Sequence, residues 1–355
     1  MDTSTLFAQF SPNQKRIIVL TAILLCLVLI SIILQELESI LKPFFVAVFM
    51  VILLEPGVIF LIKLKIPRVV AYLIMILLVF VVLYLMGMVL YANLDGVTRN
   101  ILDYEAKLNS IIGGSLKKFG IIDKTAVFKL RELAFMKWLP TGSITAFFRS
   151  SLGTFFDLIG NGAVVLFFML FIIAEIHIFK RRMIQAYGEE KSQYILTMVQ
   201  NINRRVQQYI LVKLGVSLGT GILATVIMAL FGLDLFGFFG VLVFILNFIP
   251  YLGSIIATIF PVIIAFLQYD SPWTAVWLLI ILIVVQNLMG TLIEPRVAGK
   301  RLNLSPLIVL ISVMFWGWLW GSVGMLLSIP ILATIHIILK NTSATRGVAL
   351  LISDL

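Results

Sequence analysis

The chain has 355 residues, of which 61% are hydrophobic and only 12% charged, with a mean hydropathy of +1.12 and a formal net charge of +10. A soluble domain carries about 25% charged residues, so this composition places the chain among integral membrane proteins. The basic excess clusters beside apolar runs, where it reads as topology signals facing an anionic leaflet. The expected partner is therefore the lipid bilayer, not nucleic acid.

Ser11-Pro12-Asn13-Gln14 predicts a helix start, with Ser at the cap, Pro in the first turn and Gln three residues after the cap. The apolar run Ile17 to Leu34 is too long for a signal-peptide core and has no small-residue cleavage site after it, so it is a retained span. It holds the single cysteine, Cys26, read as a small packing residue. A spanning helix needs about 20 apolar residues, and 44–62, 69–92, 161–179, 214–232 and 273–293 meet that length. Two further apolar regions are interrupted: 235–267 at Asn247 to Gly253, and 305–339 around Gly317 to Gly324. Each reads either as two short spans or as a re-entrant hairpin. The fold class is an all-α polytopic membrane protein of about seven or eight spans with broken or re-entrant helices.

With a cytoplasmic N-terminus, nearly all basic residues flanking spans fall inside, and among short outer loops only Lys42 is positive. That places both termini in the cytoplasm. Residues 93–160 have mixed charge and helical apolar spacing and predict a small extracytoplasmic helical insertion. The basic stretch 180–213 predicts an interfacial helix leading into the span at 214. The chain thus divides into spans 1–92, the insertion 93–160, a span with its basic helix over 161–213, and a C-terminal core of broken helices over 214–355.

Charged groups within spans are costly and mark function by default. Glu175 reads equally as an ion or proton site and as an interfacial carboxylate paired with Arg181 or Arg182. Asp234 and Asp270, near span ends, complete the ion and proton candidates. Glu55-Pro56 reads as an interfacial carboxylate beside a kink. At Glu294-Pro295-Arg296 the proline is expected to end the preceding helix, leaving Glu294 and Arg296 as a local ion pair or a gate. Ser305-Pro306 predicts a helix N-terminus, and Gly253-Ser254 another after Pro250, so half-helix ends would aim partial charges at the membrane interior. Asn247, Tyr251, Ser254, Gln286 and Asn287 add uncharged hydrogen-bonding groups, suited to a neutral polyhydroxylated or carbonyl-bearing solute; the alternative for each is helix–helix bonding. Gly215 to Gly219, extended by Gly221 and Ala224, forms a small-residue face for close packing. Trp273, Trp277, Trp318 and Trp320 read as interfacial belt residues. The sequence contains no phosphate-binding loop, no metal-ligand cluster and no nucleophile–base pattern, so neither an enzyme, a metal site nor a cofactor is expected.

Three motifs then carry a resemblance: Asn247-Phe248-Ile249-Pro250-Tyr251-Leu252-Gly253; Glu294-Pro295-Arg296…Gly299…Leu304-Ser305-Pro306; and Trp316-Gly317-Trp318-Leu319-Trp320-Gly321…Gly324-Met325-Leu326-Leu327…Pro330. Together with Ile66-Pro67-Arg68 and the Leu350 to Asp354 ending, they resemble the autoinducer-2 exporter family, or PerM-type permeases. The resemblance implies a bacterial inner-membrane homo-oligomer, a pentamer, that exports the quorum-sensing signal autoinducer-2. Some members are linked instead to sodium/proton antiport. It implies no agreed binding residues. A carrier or facilitator for a small polar solute is the leading expectation, a cation/proton antiporter the second, and a scaffold binding partners through 93–160 the third.

Overall fold

A computed structural model describes residues 11–90, 92, 107, 162–298, 304–342 and 345–354. The predicted outer insertion and the Gly299 to Arg301 turn therefore lie outside the described residues, apart from isolated positions. Every element among the described residues is helical: α1 (Pro12–Glu36), α2 (Glu38–Lys63), α3 (Arg68–Leu90), α4 (Gly162–Tyr187), α5 (Glu189–Leu230), α6 (Phe236–Leu246), α7 (Leu252–Gln268), α8 (Pro272–Asn287), a π-helical turn (Leu288–Ile293), α9 (Glu294–Ala298), α10 (Pro306–Asn341) and α11 (Arg346–Ile352). Among the described residues six helices, α10 included, are by length and composition long and apolar enough to cross a membrane, and α4, bent by 50° around Ile176–Ile178, makes up to seven.

The expected capping box is present, with the Ser11 hydroxyl accepting from the Gln14 N–H and the Gln14 side chain accepting from the Ser11 N–H. Cys26 is exposed on α1, so it is not the packing residue expected. In α2, Pro56 has no N–H to donate to the carbonyl of Ile52, one turn back. The side chain of Gln207 on α5 donates to that carbonyl at 3.1 Å. A proline that would weaken an isolated helix thereby becomes a point of attachment between two helices.

Both interrupted regions are helical hairpins. Along α6 and α7, Gly253 lies against the backbone of Leu246 at the tip, while Gln268 brackets the turn at the base, accepting from the Asp234 N–H at 2.7 Å and donating to the Gly232 carbonyl at 2.7 Å. The arms are therefore antiparallel. At 1.5 Å per residue, the 11 residues of α6 reach about 16 Å, roughly half of a 30 Å hydrocarbon layer. In α10, Trp320 and Gly321 leave the helical region, Gly321 at φ 65°. The chain folds back there, so Ser312 donates to the Ser328 carbonyl at 3.3 Å and Gly324 packs on the carbonyl of Trp316. Although continuous by length, α10 is two arms whose ends meet at one end of the bundle, where the Ser305 N–H donates to the Ile352 carbonyl at 2.9 Å.

Trp320 is not the belt residue expected. It is 1% exposed, and its indole N–H donates to the Leu34 carbonyl at 3.1 Å, near the end of α1 where that carbonyl needs a partner. Trp273, Trp277 and Trp318 are exposed, as a belt requires. The first half of α5 packs against the base of the second hairpin: Tyr194 bonds the Asn341 carbonyl while Ile202, Val206 and Ile210 share a cluster with Ile337. The small-residue face of α5 packs within the chain, Gly219 against Met289 and Gly221 against Phe244 and the Gly240 backbone.

Candidate functional site

The tip of the first hairpin is held by α5. Asn247 is 8% exposed, and its amide donates to the Ser217 hydroxyl at 3.3 Å, with Thr220 at 3.5 Å. Ser217 and Thr220 are fully buried polar groups that α5 can carry because this amide and, for Thr220, the Val216 carbonyl pair with them. After Asn247 the chain turns through Pro250 to Tyr251, whose φ of 60° and ψ of −60° is a strained conformation for a non-glycine residue. Gly253 follows because a Cβ there would fall well inside van der Waals contact of the Leu246 carbonyl oxygen.

Beneath the tip lies a cavity of about 730 Å³. Its walls are Tyr209 and Lys213 of α5; Asn247, Ile249, Pro250, Tyr251, Ser254, Ile255, Thr258 and Ile259 of the first hairpin; Leu279, Ile283, Gln286, Asn287, Gly290, Thr291 and Glu294 of α8 and the turns after it; and Val309 and Ile329, one from each arm of the second hairpin, so that most of the lining surface is apolar. Both hairpins therefore meet at this cavity.

The Glu294 turn differs from the sequence expectation. Pro295 does not end the helix: Glu294 is α-helical at φ −53°, ψ −50°, and α9 continues through it. The conflict with proline is absorbed upstream, where Leu288–Ile293 widens to a π-helix and the Glu294 N–H donates to the Met289 carbonyl. Nor does Glu294 pair with Arg296. Its oxygens accept from the Lys213 ammonium at 2.9 and 3.2 Å. Lys213 is 7% exposed and Glu294 is partly buried, so this is a half-buried ion pair at the cavity wall, whereas the sequence offers Lys213 only as a topology signal.

Seven predicted path residues, Asn247, Pro250, Tyr251, Ser254, Gln286, Asn287 and Glu294, line the one cavity. Gly253 shapes the tip without lining it. Pro295 and Arg296 sit beyond the wall in α9. Ser305 and Pro306 begin the first arm of α10, and Val309, one turn on, is the lining residue; the Ser305 hydroxyl makes no cap bond, its carbonyl accepting from Val309 instead. Among the ion candidates, Glu175 pairs with Arg182 at 2.6 Å on the exposed surface. Asp270 is fully exposed and pairs with Lys107 at 3.3 Å. Asp234 sits in the turn at the hairpin base. It is the second cause, after burial, that raises the Tyr269 hydroxyl above its ordinary pKa. None of these three faces the cavity. Glu55 bonds Arg68 at 3.2 Å and accepts from the Tyr72 hydroxyl, which joins α2 to α3. Among the described residues no cluster of His, Cys, Asp or Glu could hold a metal ion.

Among the lining residues, Tyr209, Lys213, Thr258, Gly290 and Thr291 were missed as site residues. The sequence signal for Lys213 was weak: it directly precedes the apolar run of the span at 214 and so resembles a flanking cation, whereas in the structure the helix is continuous from Glu189 to Leu230 and holds Lys213 within it.

The sequence signature described as "AI-2E family transporter" matches residues 17–344. The Escherichia coli K12 protein "AI-2 transport protein TqsA" is 27% identical over 89% of this chain and 90% of its own length. A Haemophilus influenzae protein named "Putative transport protein" is 27% identical over 89% and 90%. One of the same name from Borreliella burgdorferi is 37% identical over 185 residues, about half of each chain, 52% and 51%. With the family signature covering nearly the whole chain, and two hairpins converging on a cavity that carries polar groups in a mainly apolar wall, the protein is a member of the AI-2E family of transporters.

Proposed function

We propose that the cavity is the route of a small, uncharged polar solute, autoinducer-2 or a close chemical relative, exported by a secondary carrier or facilitator. The observation that supports this best is the lining itself: amides and hydroxyls from Asn247, Tyr251, Ser254, Gln286, Asn287 and Thr291 converge on about 730 Å³, within the 300–1,000 Å³ typical of small-molecule sites. The TqsA relative carries autoinducer-2 in its name. In this reading the protein sits in the bacterial inner membrane with both termini cytoplasmic, assembles as a homo-oligomer, a pentamer by family resemblance, and keeps 93–160 outside. The N-terminal spans over 1–92 and the span with its basic helix over 161–213 frame the C-terminal core 214–355, which carries the solute.

Cation/proton antiport is the second reading, favoured by one observation, the carboxylate of Glu294 at the cavity. The test is flux through proteoliposomes containing only this protein, loaded with autoinducer-2, with and without sodium and proton gradients. Autoinducer-2 efflux that Asn247→Ala abolishes supports the first reading. Sodium-driven proton flux without autoinducer-2 movement, lost in Glu294→Gln, would replace it with the second.

A further inference from the structure

Among the described residues lining the cavity, only Lys213 and Glu294 are charged. They come from different helices, α5 and the start of α9, and meet with the ammonium 2.9 and 3.2 Å from the two carboxylate oxygens. The Lys213 side chain is 9% exposed and that of Glu294 25%. A lone charge as shielded as the Lys213 ammonium costs several kcal/mol, whereas the pair leaves the wall with no net charge. Each partner also bars one class of ion. An anion seeking Lys213 must displace Glu294, and a cation seeking Glu294 must displace Lys213. Either exchange trades a good bidentate contact for another and leaves a buried charge unpaired. A neutral hydroxyl can bond the outer lone pairs of Glu294 without breaking anything.

We propose that the Lys213–Glu294 pair is the charge filter of the transport path, keeping the cavity neutral so that uncharged polyols enter and small ions of either sign are rejected. The inference rests on the transport reading above.

The test uses the full chain in proteoliposomes with three probes: erythritol, its acid analogue erythronate, and sodium. Wild type passes erythritol and rejects both ions. Glu294→Gln, which leaves Lys213 unpaired, raises erythronate flux at least about tenfold, and Lys213→Gln raises sodium flux likewise, each a preference of the size one well-placed charge supplies. The double variant Lys213→Gln/Glu294→Gln has no buried lone charge, folds if either single variant does not, and again passes only erythritol. Equilibrium binding of erythronate to detergent-purified Glu294→Gln, tighter than to wild type by about tenfold, reads the same preference without flux. An inserted Glu294→Gln protein that neither binds nor passes erythronate overturns the filter, as does a double variant that admits ions. If wild type passes neither these probes nor autoinducer-2 while Glu294→Gln gains erythronate binding, the transport reading fails and the pair's control of cavity charge stands.

Discussion

Pro56 and Gln207 offer a sharp test of how this bundle is held together. Pro56 frees the Ile52 carbonyl inside α2, and Gln207, 155 residues away on α5, donates to it at 3.1 Å. The substitution Gln207→Leu keeps the side-chain size and removes the donor, leaving a carbonyl without a partner in a half-buried, apolar setting. Side-chain hydrogen bonds between membrane helices average about 0.6 kcal/mol and reach about 1.7. The upper half of that range applies here, because the acceptor has no intrahelical alternative, so the expected loss is about 1–1.5 kcal/mol. In a Pro56→Ala background the restored backbone N–H at that position takes over the Ile52 carbonyl, and the same Gln207→Leu change should cost less than about 0.5 kcal/mol. The assay is reversible unfolding of the four proteins in mixed micelles, followed by tryptophan fluorescence. A coupling energy near 1 kcal/mol is the predicted outcome. Additivity to within about 0.3 kcal/mol would show that Gln207 does not serve the carbonyl that Pro56 frees.

Other consequences follow from the same geometry. Gly253→Ala and Gly324→Ala each drive a Cβ into a backbone carbonyl oxygen, that of Leu246 and that of Trp316; since backbone cannot yield cheaply, both should collapse the yield of folded protein, read by size-exclusion chromatography. Trp320→Phe keeps the ring packing but loses the bond to the Leu34 carbonyl, and should cost about 1 kcal/mol in the same unfolding assay. Glu175→Gln breaks only an exposed pair with Arg182, so stability should move by less than about 0.5 kcal/mol and autoinducer-2 flux not at all; lost flux would restore Glu175 as an ion site.

Much of this arrangement was legible in the sequence. Six span positions follow from apolar run length alone, because a bilayer demands a fixed length of helix with its backbone satisfied internally. The break at Asn247 to Gly253 was visible for the same reason: Asn, Pro and Gly together have no place in a plain span. What pattern could not supply was pairing across the fold. Glu294 has Arg296 two residues away in sequence, but its partner is Lys213, brought in by α5 from 81 positions upstream. Pro295 read as a helix end because local rules give proline that role; the π-turn over Leu288–Ile293 accommodates it, a backbone adjustment that no residue of that turn announces. The Trp/Gly-rich stretch of α10 was recognisable as a bend, but it is the contacts between its arms, Ser312 with Ser328 and Gly324 with Trp316, that make it a hairpin.

Everything proposed for transport turns on solute passing through the cavity under the first hairpin, and Gly290 is the place where that route can be blocked. Gly290 lines the cavity, and a Cβ built there meets nothing within 4 Å. Gly215 has equally open space but does not line the cavity, which makes Gly215→Leu the matched control. The measurement is autoinducer-2 efflux from proteoliposomes carrying equal amounts of wild type, Gly290→Leu and Gly215→Leu. Passage through the cavity predicts efflux near wild type for Gly215→Leu and at least about tenfold slower for Gly290→Leu, the consequence of a barrier of about 1.4 kcal/mol or more placed in the route. Wild-type efflux through a correctly inserted Gly290→Leu protein would mean that the solute travels elsewhere.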